Sequence, residues 1–264
     1  MSAACNAPSI RPGEKPHIEV RDLTMAFGDF VLQRELSFAI PRNSIFVIMG
    51  GSGCGKSTLL RHILGLLDPA AGSVLLDGVE TSGLGAEERQ DIMNRFGVLY
   101  QSGALWSSMT LAENVSLPLE EYTELAAPEI REIAALKLAM VGLRGFEDYY
   151  PSEVSGGMQK RAGLARAIAL DPEILCIDEP SAGLDPISSK RLDDLIQELR
   201  DSLDTTVVMV THELPSIYAI GTDSIFLDAE TRTMIASGPP TWLRDHCDHP
   251  TVRTFMTRGE GEDG

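Results

Sequence analysis

The sequence predicts an α/β fold: a mainly parallel sheet flanked by helices, with an antiparallel β subdomain and an α-helical subdomain. Three observations predict it. Short apolar runs of strand length recur at Ile45–Met49, Ile174–Ile177 and Thr205–Val210, as in strands buried on both faces. Segments of helical period follow them. Residues 102–170 lose strand signals and read as a helical insert.

The chain has 264 residues, enough for one large domain or one domain with a subdomain. Its composition, 43% hydrophobic and 23% charged, is that of a globular protein. A net charge of −17 argues against a nucleic-acid partner held by a broad basic face, and against direct docking on anionic lipid. No apolar run reaches the roughly 18 residues that span a bilayer. Cys5, Cys54, Cys176 and Cys247 form no C-x-x-C pair and no metal spacing. They are expected to be unpaired thiols in a reducing compartment, which points to the cytoplasm. Residues 1–16 have no apolar core of a signal peptide and read as a disordered tail.

His17–Phe27 alternates apolar and polar residues, Gly28-Asp29 makes a turn, and Phe30–Ile40 returns, so an antiparallel unit leads into the Ile45–Met49 strand. On spacing alone, Phe27 fits either a ring stacked on a base or a core side chain. Next comes Gly50-Gly51-Ser52-Gly53-Cys54-Gly55-Lys56-Ser57-Thr58, then the apolar-periodic Leu59–Leu64. Strand, glycine loop and helix with the spacing G-x-x-x-x-G-K-[ST] form a phosphate-binding loop of the P-loop NTPase kind. Glycines let successive N–H groups turn inward around phosphate oxygens. The helix N-terminus adds free donors and partial positive charge. Lys56 suits the β- and γ-phosphates, and the Ser57 hydroxyl suits Mg²⁺.

Gly72–Gly78 is a short strand, Ala86–Asn94 a helix and Arg95–Tyr100 a strand ending at Gln101, whose amide would face a ligand crevice. Within the insert, Thr110 caps a helix to about Leu119, and Pro128–Val141 has helical spacing. Ser155-Gly156-Gly157 then precedes a helix over Gln159–Leu170. Alone, that turn fits either an ordinary loop or a second phosphate cradle. The Ile174–Ile177 run closes on Asp178-Glu179-Pro180. Carboxylates at an apolar strand end call for a cation or a protic partner. Asp178 suits a metal shell, and Glu179 suits a role on an attacking water. A helix over Ile187–Leu203 precedes the Thr205–Val210 strand, which ends at Thr211-His212-Glu213. Ser224–Leu227 and Thr233–Ser237 are short strands, and Pro239–Asp245 and Thr251–Thr257 are helical. Arg258–Gly264 reads as a mobile tail.

Taken in order, the loop at 50–58, Gln101, Ser155-Gly156-Gly157, Asp178-Glu179, Asp185 and His212 resemble the ATP-binding subunit of an ABC transporter over about residues 17–240. The resemblance implies an ATPase that sandwiches two ATP between two cassettes arranged head to tail. Lys56 would hold the β/γ-phosphate and His212 the γ-phosphate. Ser57 and Gln101 would ligate Mg²⁺, with Asp178 acting through water, and Glu179 would polarise the attacking water. Phe27 would stack on adenine, and Asp185 would sit at the dimer seam. Val154 and Met158 replace the ends of the family's Leu-Ser-Gly-Gly-Gln. Implied boundaries are a tail at 1–16, an ATPase domain at 17–246 with a helical subdomain at about 102–170, and a C-terminal helix and tail at 247–264. Tyr100–Trp106, Glu113-Asn114-Val115, Val141-Gly142-Leu143-Arg144, Ser155–Met158 and Val252-Arg253-Thr254-Phe255 look like the Mla-type, Mce-associated lipid transporters. That branch implies a transmembrane permease, Mce-type lipid-binding and small accessory subunits, and a place on the cytoplasmic face of the inner membrane. The alternative is the same ATPase serving another cargo: an amino acid, metal, peptide or drug.

Overall fold

A computed structural model describes residues 5–7 and 15–258. The chain forms two compact units, one from the described residues of Met1–Met93 with Val208–Gly264, the other from Asn94–Val207. The first pass through the first unit gives β1 (Cys5–Asn6), β2 (Ile18–Phe27), β3 (Phe30–Ile40), β4 (Ile45–Gly50), α1 (Lys56–Ile63), β5 (Ala71–Leu76), β6 (Val79–Glu80) and all but the last residue of α2 (Ala86–Asn94). The second unit contains β7 (Phe96–Leu99), α3 (Leu111–Tyr122), α4 (Ala127–Met140), α5 (Gly156–Ala167), β8 (Ile174–Asp178) and α6 (Pro186–Leu203). The chain crosses back within β9 (Thr206–Val210). It then adds α7 (Leu214–Ile220), β10 (Asp223–Asp228), β11 (Thr233–Ser237), α8 (Pro240–His246) and α9 (Pro250–Met256).

In the first unit, β3, β2, β5 and β6 lie side by side in an antiparallel sheet. The alternation of β2 buries Ile18, Val20, Leu23 and Met25. Its strict period of two breaks between Val20 and Leu23, where the register shifts and Asp22 takes φ 45°. This bulge returns Leu23 to the inner face. Ser37 braces it, its hydroxyl accepting from Asp22 N and donating to Asp22 Oδ1. In the same unit β10 runs parallel to β4 and antiparallel to β11. Every residue of β4 and β10 is buried, which explains their lack of alternation.

In the second unit β7 runs parallel to β8. Helices α3, α4 and α5 pack on one another, and Leu111, Val115, Ile130, Ala134, Leu138 and Ala162 on them are buried. Thr110 caps α3 in a reciprocal capping box with Glu113, each side chain bonding the other's backbone N–H. Asn114 is fully buried and donates to the carbonyls of Trp106, Met109 and Thr110, which fixes the loop before the helix.

Three features differ from the sequence expectation. Cys5 and Cys247 form a disulfide with Cα atoms 5.5 Å apart; across a separation of 242 residues, spacing says nothing about pairing. Cys5–Asn6, expected to be disordered, forms β1, parallel to β11. Helix α7 stands where the apolar pattern is too short to assign one, started by Pro215 in its first turn. Residues 1–4 and 8–14 of the expected N-terminal tail and residues 259–264 of the C-terminal tail lie outside the described residues. Among the described residues no helix is long and apolar enough to cross a membrane.

Candidate functional site

The phosphate loop lies in the first unit between β4 and α1. Gly50 has φ 145°, and a Cβ there would lie 2.3 Å from the carbonyl oxygen of Leu227 and 2.6 Å from Cys54 Sγ. Only glycine fits this close approach. Gly55 is the N-cap of α1 in the left-handed region, φ 99°, with no side-chain cap, and no acidic residue occupies the first turn of that helix. The partial positive charge at the start of α1 is therefore offset by neither a side-chain cap nor an acid of its own first turn. Lys56 arches over the loop and donates to the carbonyls of Gly50 at 2.9 Å and Gly51 at 3.1 Å. Gly51, Ser52, Gly53 and Ser57 are exposed, Thr58 is half-buried, and Cys54 is buried, with burial pushing its thiol pKa up.

Sequence reasoning missed Gln33. It is fully buried on β3 and its Nε2 donates to the carbonyls of Cys54 at 2.8 Å and Asp228 at 2.9 Å. It therefore sets the loop's height above the end of β10. The one available signal was a polar residue at an inward position of a strand. Phe27 ends β2 opposite Phe30 and is 55% exposed. It is therefore not a core residue. His212, also in this unit, is exposed just past β9, with its Nε2 3.7 Å from Glu213 Oε1.

The other expected residues lie in the second unit. Gln101 is exposed in a turn past β7, closed by Gly103 N donating to the Tyr100 carbonyl. Asp178 ends β8 and is half-buried. Glu179 follows with φ 48°, a left-handed conformation unusual for a residue with a side chain. Ser155 is exposed and caps α5, its hydroxyl accepting from Met158 N at 3.3 Å. Gly156 and Gly157 open that helix, and its first turn holds no acid. Gln159 braces the approach by donating to the carbonyls of Pro151 and Val154. Asp185 caps α6, accepting from the amides of Ile187 and Ser188 and from the Ser188 hydroxyl. The Ser188 hydroxyl, then its amide, hold the Asp185 carboxyl below its ordinary pKa.

Lys160 was also missed. It is buried on α5 and donates to the carbonyls of Pro180 at 2.6 Å and Ala182 at 2.5 Å. Burial lowers its pKa, and the charge of Glu179 works in the opposite direction. From the same helix, Arg166 donates to the carbonyls of Gly103 and Ala104, just past Gln101.

The chain is similar to known proteins, among them two curated relatives and one solved structure. It is 41% identical over 239 residues to the probable ribonucleotide transport ATP-binding protein mkl of Mycobacterium tuberculosis strain H37Rv, covering 90% of this chain and 66% of that one. The chain thus spans just under two thirds of that relative. It is 40% identical to the intermembrane phospholipid transport system ATP-binding protein MlaF of Escherichia coli K12, covering 90% of this chain and 88% of that one. The ATP-binding cassette MJ0796, solved as a dimer in a post-hydrolysis state with ADP and Pi, superposes with a TM-score of 0.71 at 30% identity, over 81% of this chain and 96% of that one. The likeness shows the P-loop NTPase fold, with its mainly parallel sheet and antiparallel β subdomain. The ABC transporter family model matches residues 33–182, more than half of the chain and inclusive of the phosphate loop and the Glu179 turn, so the chain belongs to the ABC transporter family.

Proposed function

We propose that this chain is the ATP-hydrolysing subunit of an ABC transporter that drives lipid, most specifically phospholipid, transport through a membrane permease. The observation that carries the reading is the uncapped start of α1 under a glycine loop spanned by Lys56. Such a cradle suits a polyphosphate, because the positive end of a helix and an ammonium meet where negative charge is densest. The residues around it have assigned tasks. Gly50–Thr58 hold the phosphates, Phe27 stacks on adenine, and His212 contacts the γ-phosphate. Glu179 orients the attacking water. Asp185 couples the two sites at the dimer seam.

The donor set Ser57, Gln101 and Asp178 offers hydroxyl, amide and carboxylate oxygens, hard ligands that fit Mg²⁺. Mg²⁺, when bound, neutralises phosphate charge during transfer.

A second copy completes the mechanism. Its Ser155-Gly156-Gly157 turn presents the acid-free start of α5, and γ-phosphate gives that end an anionic partner only in the closed dimer. Hydrolysis removes the bridge and the dimer opens. Moving such an equilibrium from 1:99 to 99:1 takes about 5.5 kcal/mol of differential affinity. Charge-assisted bonds at two sites supply a term of that size. The permease, Mce-type lipid-binding and small accessory subunits are the assigned partners, and the assigned place is the cytoplasmic face of the inner membrane. MlaF, named for intermembrane phospholipid transport, supports the lipid cargo. The similarly related mycobacterial protein is named for ribonucleotide transport, which supports the second reading, the same ATPase with a different cargo.

The test is purification of the chain with its membrane partner and mass spectrometry of the retained cargo. Co-purified phospholipid is expected. A complex that retains a water-soluble solute and no lipid rejects the lipid reading and leaves the ATPase intact.

A further inference from the structure

We infer that Lys160 is a positioning residue for Glu179, linking the Ser155 turn to the water-orienting carboxylate through one helix. The inference rests on the assignment of Glu179 above.

The backbone at Glu179 sits at φ 48°. A non-glycine residue stays in the left-handed region only when its surroundings over-determine it. Inside the turn, Ala182 N donates to the Glu179 carbonyl at a long 3.3 Å, and Leu184 N donates to the Ser181 carbonyl at 3.0 Å. The Lys160 ammonium adds two shorter bonds, to the carbonyls of Pro180 and Ala182, which flank Ser181. One buried cation thus grips the turn on both sides of Ser181. Pro180 contributes no N–H, so its end of the turn is held through the carbonyl alone.

The donor's location gives the clamp its second consequence. Lys160 lies on α5, whose N-terminus is the Ser155-Gly156-Gly157 turn. Lys160 follows Gly156 by four residues, so about one helical turn separates the two. A shift of α5 when the Ser155 turn engages an anion would move the ammonium and, with it, the Pro180–Ala182 carbonyls. Glu179 would then be oriented for the attacking water only when α5 is in its engaged position. Arg166, further along α5, grips the loop past Gln101 in the same manner.

The experiment measures steady-state ATP hydrolysis and fluorescent-ATP binding for the full chain and for K160M, K160Q, K160R and E179Q, with thermal melting of each. K160M is expected to lower kcat ~10–100-fold, as misplacement of a reacting group by about 1 Å does. Its KM and nucleotide Kd should stay within about 3-fold of the parent. K160R restores donors to both carbonyls and should recover most of kcat, and K160Q, with one donor group, should fall between. If K160M does not fold, K160Q carries the same test. Parental kcat in either folded variant overturns the inference, and so does a loss of kcat, nucleotide binding and melting temperature together that K160R does not reverse. E179Q separates the two layers. An active E179Q rejects the Glu179 assignment itself, whereas parental K160M beside an inactive E179Q rejects only the role of Lys160.

Discussion

The chain builds two glycine-rich helix starts, and they are held in opposite ways. At Gly50–Ser57 the helix begins on a left-handed glycine with no side-chain cap, and the loop is fixed from outside, by Gln33 below and by Lys56 across it. At Ser155–Met158 the helix caps itself with its own serine, and Gln159 secures the chain leading in. By contrast, α2, α3 and α4 put glutamates in their first turns, which neutralise the helix dipole locally. The two glycine-rich starts carry no such acid. Each is thus electrostatically open, but only the first lacks a side-chain cap and has an ammonium in place. The difference suits a primary phosphate cradle and a secondary contact supplied to another copy.

Mutations can break this comparison, and the largest effect is expected at the first start. Lys56→Ala removes the ammonium and should abolish turnover in a phosphate-release assay; normal turnover would sink the loop assignment. Gly50→Ala should follow, because its Cβ would meet the Leu227 carbonyl and Cys54 Sγ. A loss of about 3 kcal/mol is expected, from overpacking and a disfavoured backbone together. Calorimetry would read this as a lowered melting temperature. Gln33→Leu leaves the carbonyls of Cys54 and Asp228 without their buried donor, at a cost of about 1–3 kcal/mol. It should also weaken nucleotide binding, since the loop rests on that amide; unchanged binding would show that Gln33 only fills space.

The smallest stability effect, at the second start, is the most discriminating. Ser155→Ala should cost α5 about 1 kcal/mol, whereas Ser155→Gly should cost only a few tenths. If the serine merely caps, turnover will follow stability and Ser155→Gly will be near normal. If its hydroxyl also serves the partner's nucleotide, both variants will lose turnover alike.

What could be read from the sequence divides along the same line. The phosphate loop was legible because its chemistry is contiguous: strand, glycines, lysine and helix follow one another without a break. The Thr110 cap, α2 and the fully apolar β4 were legible for the same local reason. Gln33 and Lys160 were not. In Phe30–Ile40 a glutamine at an inward position reads as a flaw in the alternation. In the run Gln159-Lys160-Arg161, a lysine reads as the solvent face of a helix. Each is explained only by carbonyls distant in sequence, those of Asp228 and of Pro180 and Ala182. The Cys5–Cys247 bridge was hidden for the same reason, because the pairing of β1 with β11 brings its ends together. Burial also decided Phe27, whose exposure at the end of β2 removes the core reading that spacing had left open.

In the proposed function the first helix start is half of a site, and a second copy supplies the other half. Sedimentation velocity of Glu179→Gln with ATP, with ADP and without nucleotide tests it most directly. A dimer is expected with ATP alone, and none when Lys56→Ala or a bulky Gly156 substitution is added. A protein that remains monomeric with ATP bound, or that dimerises regardless of nucleotide, contradicts it.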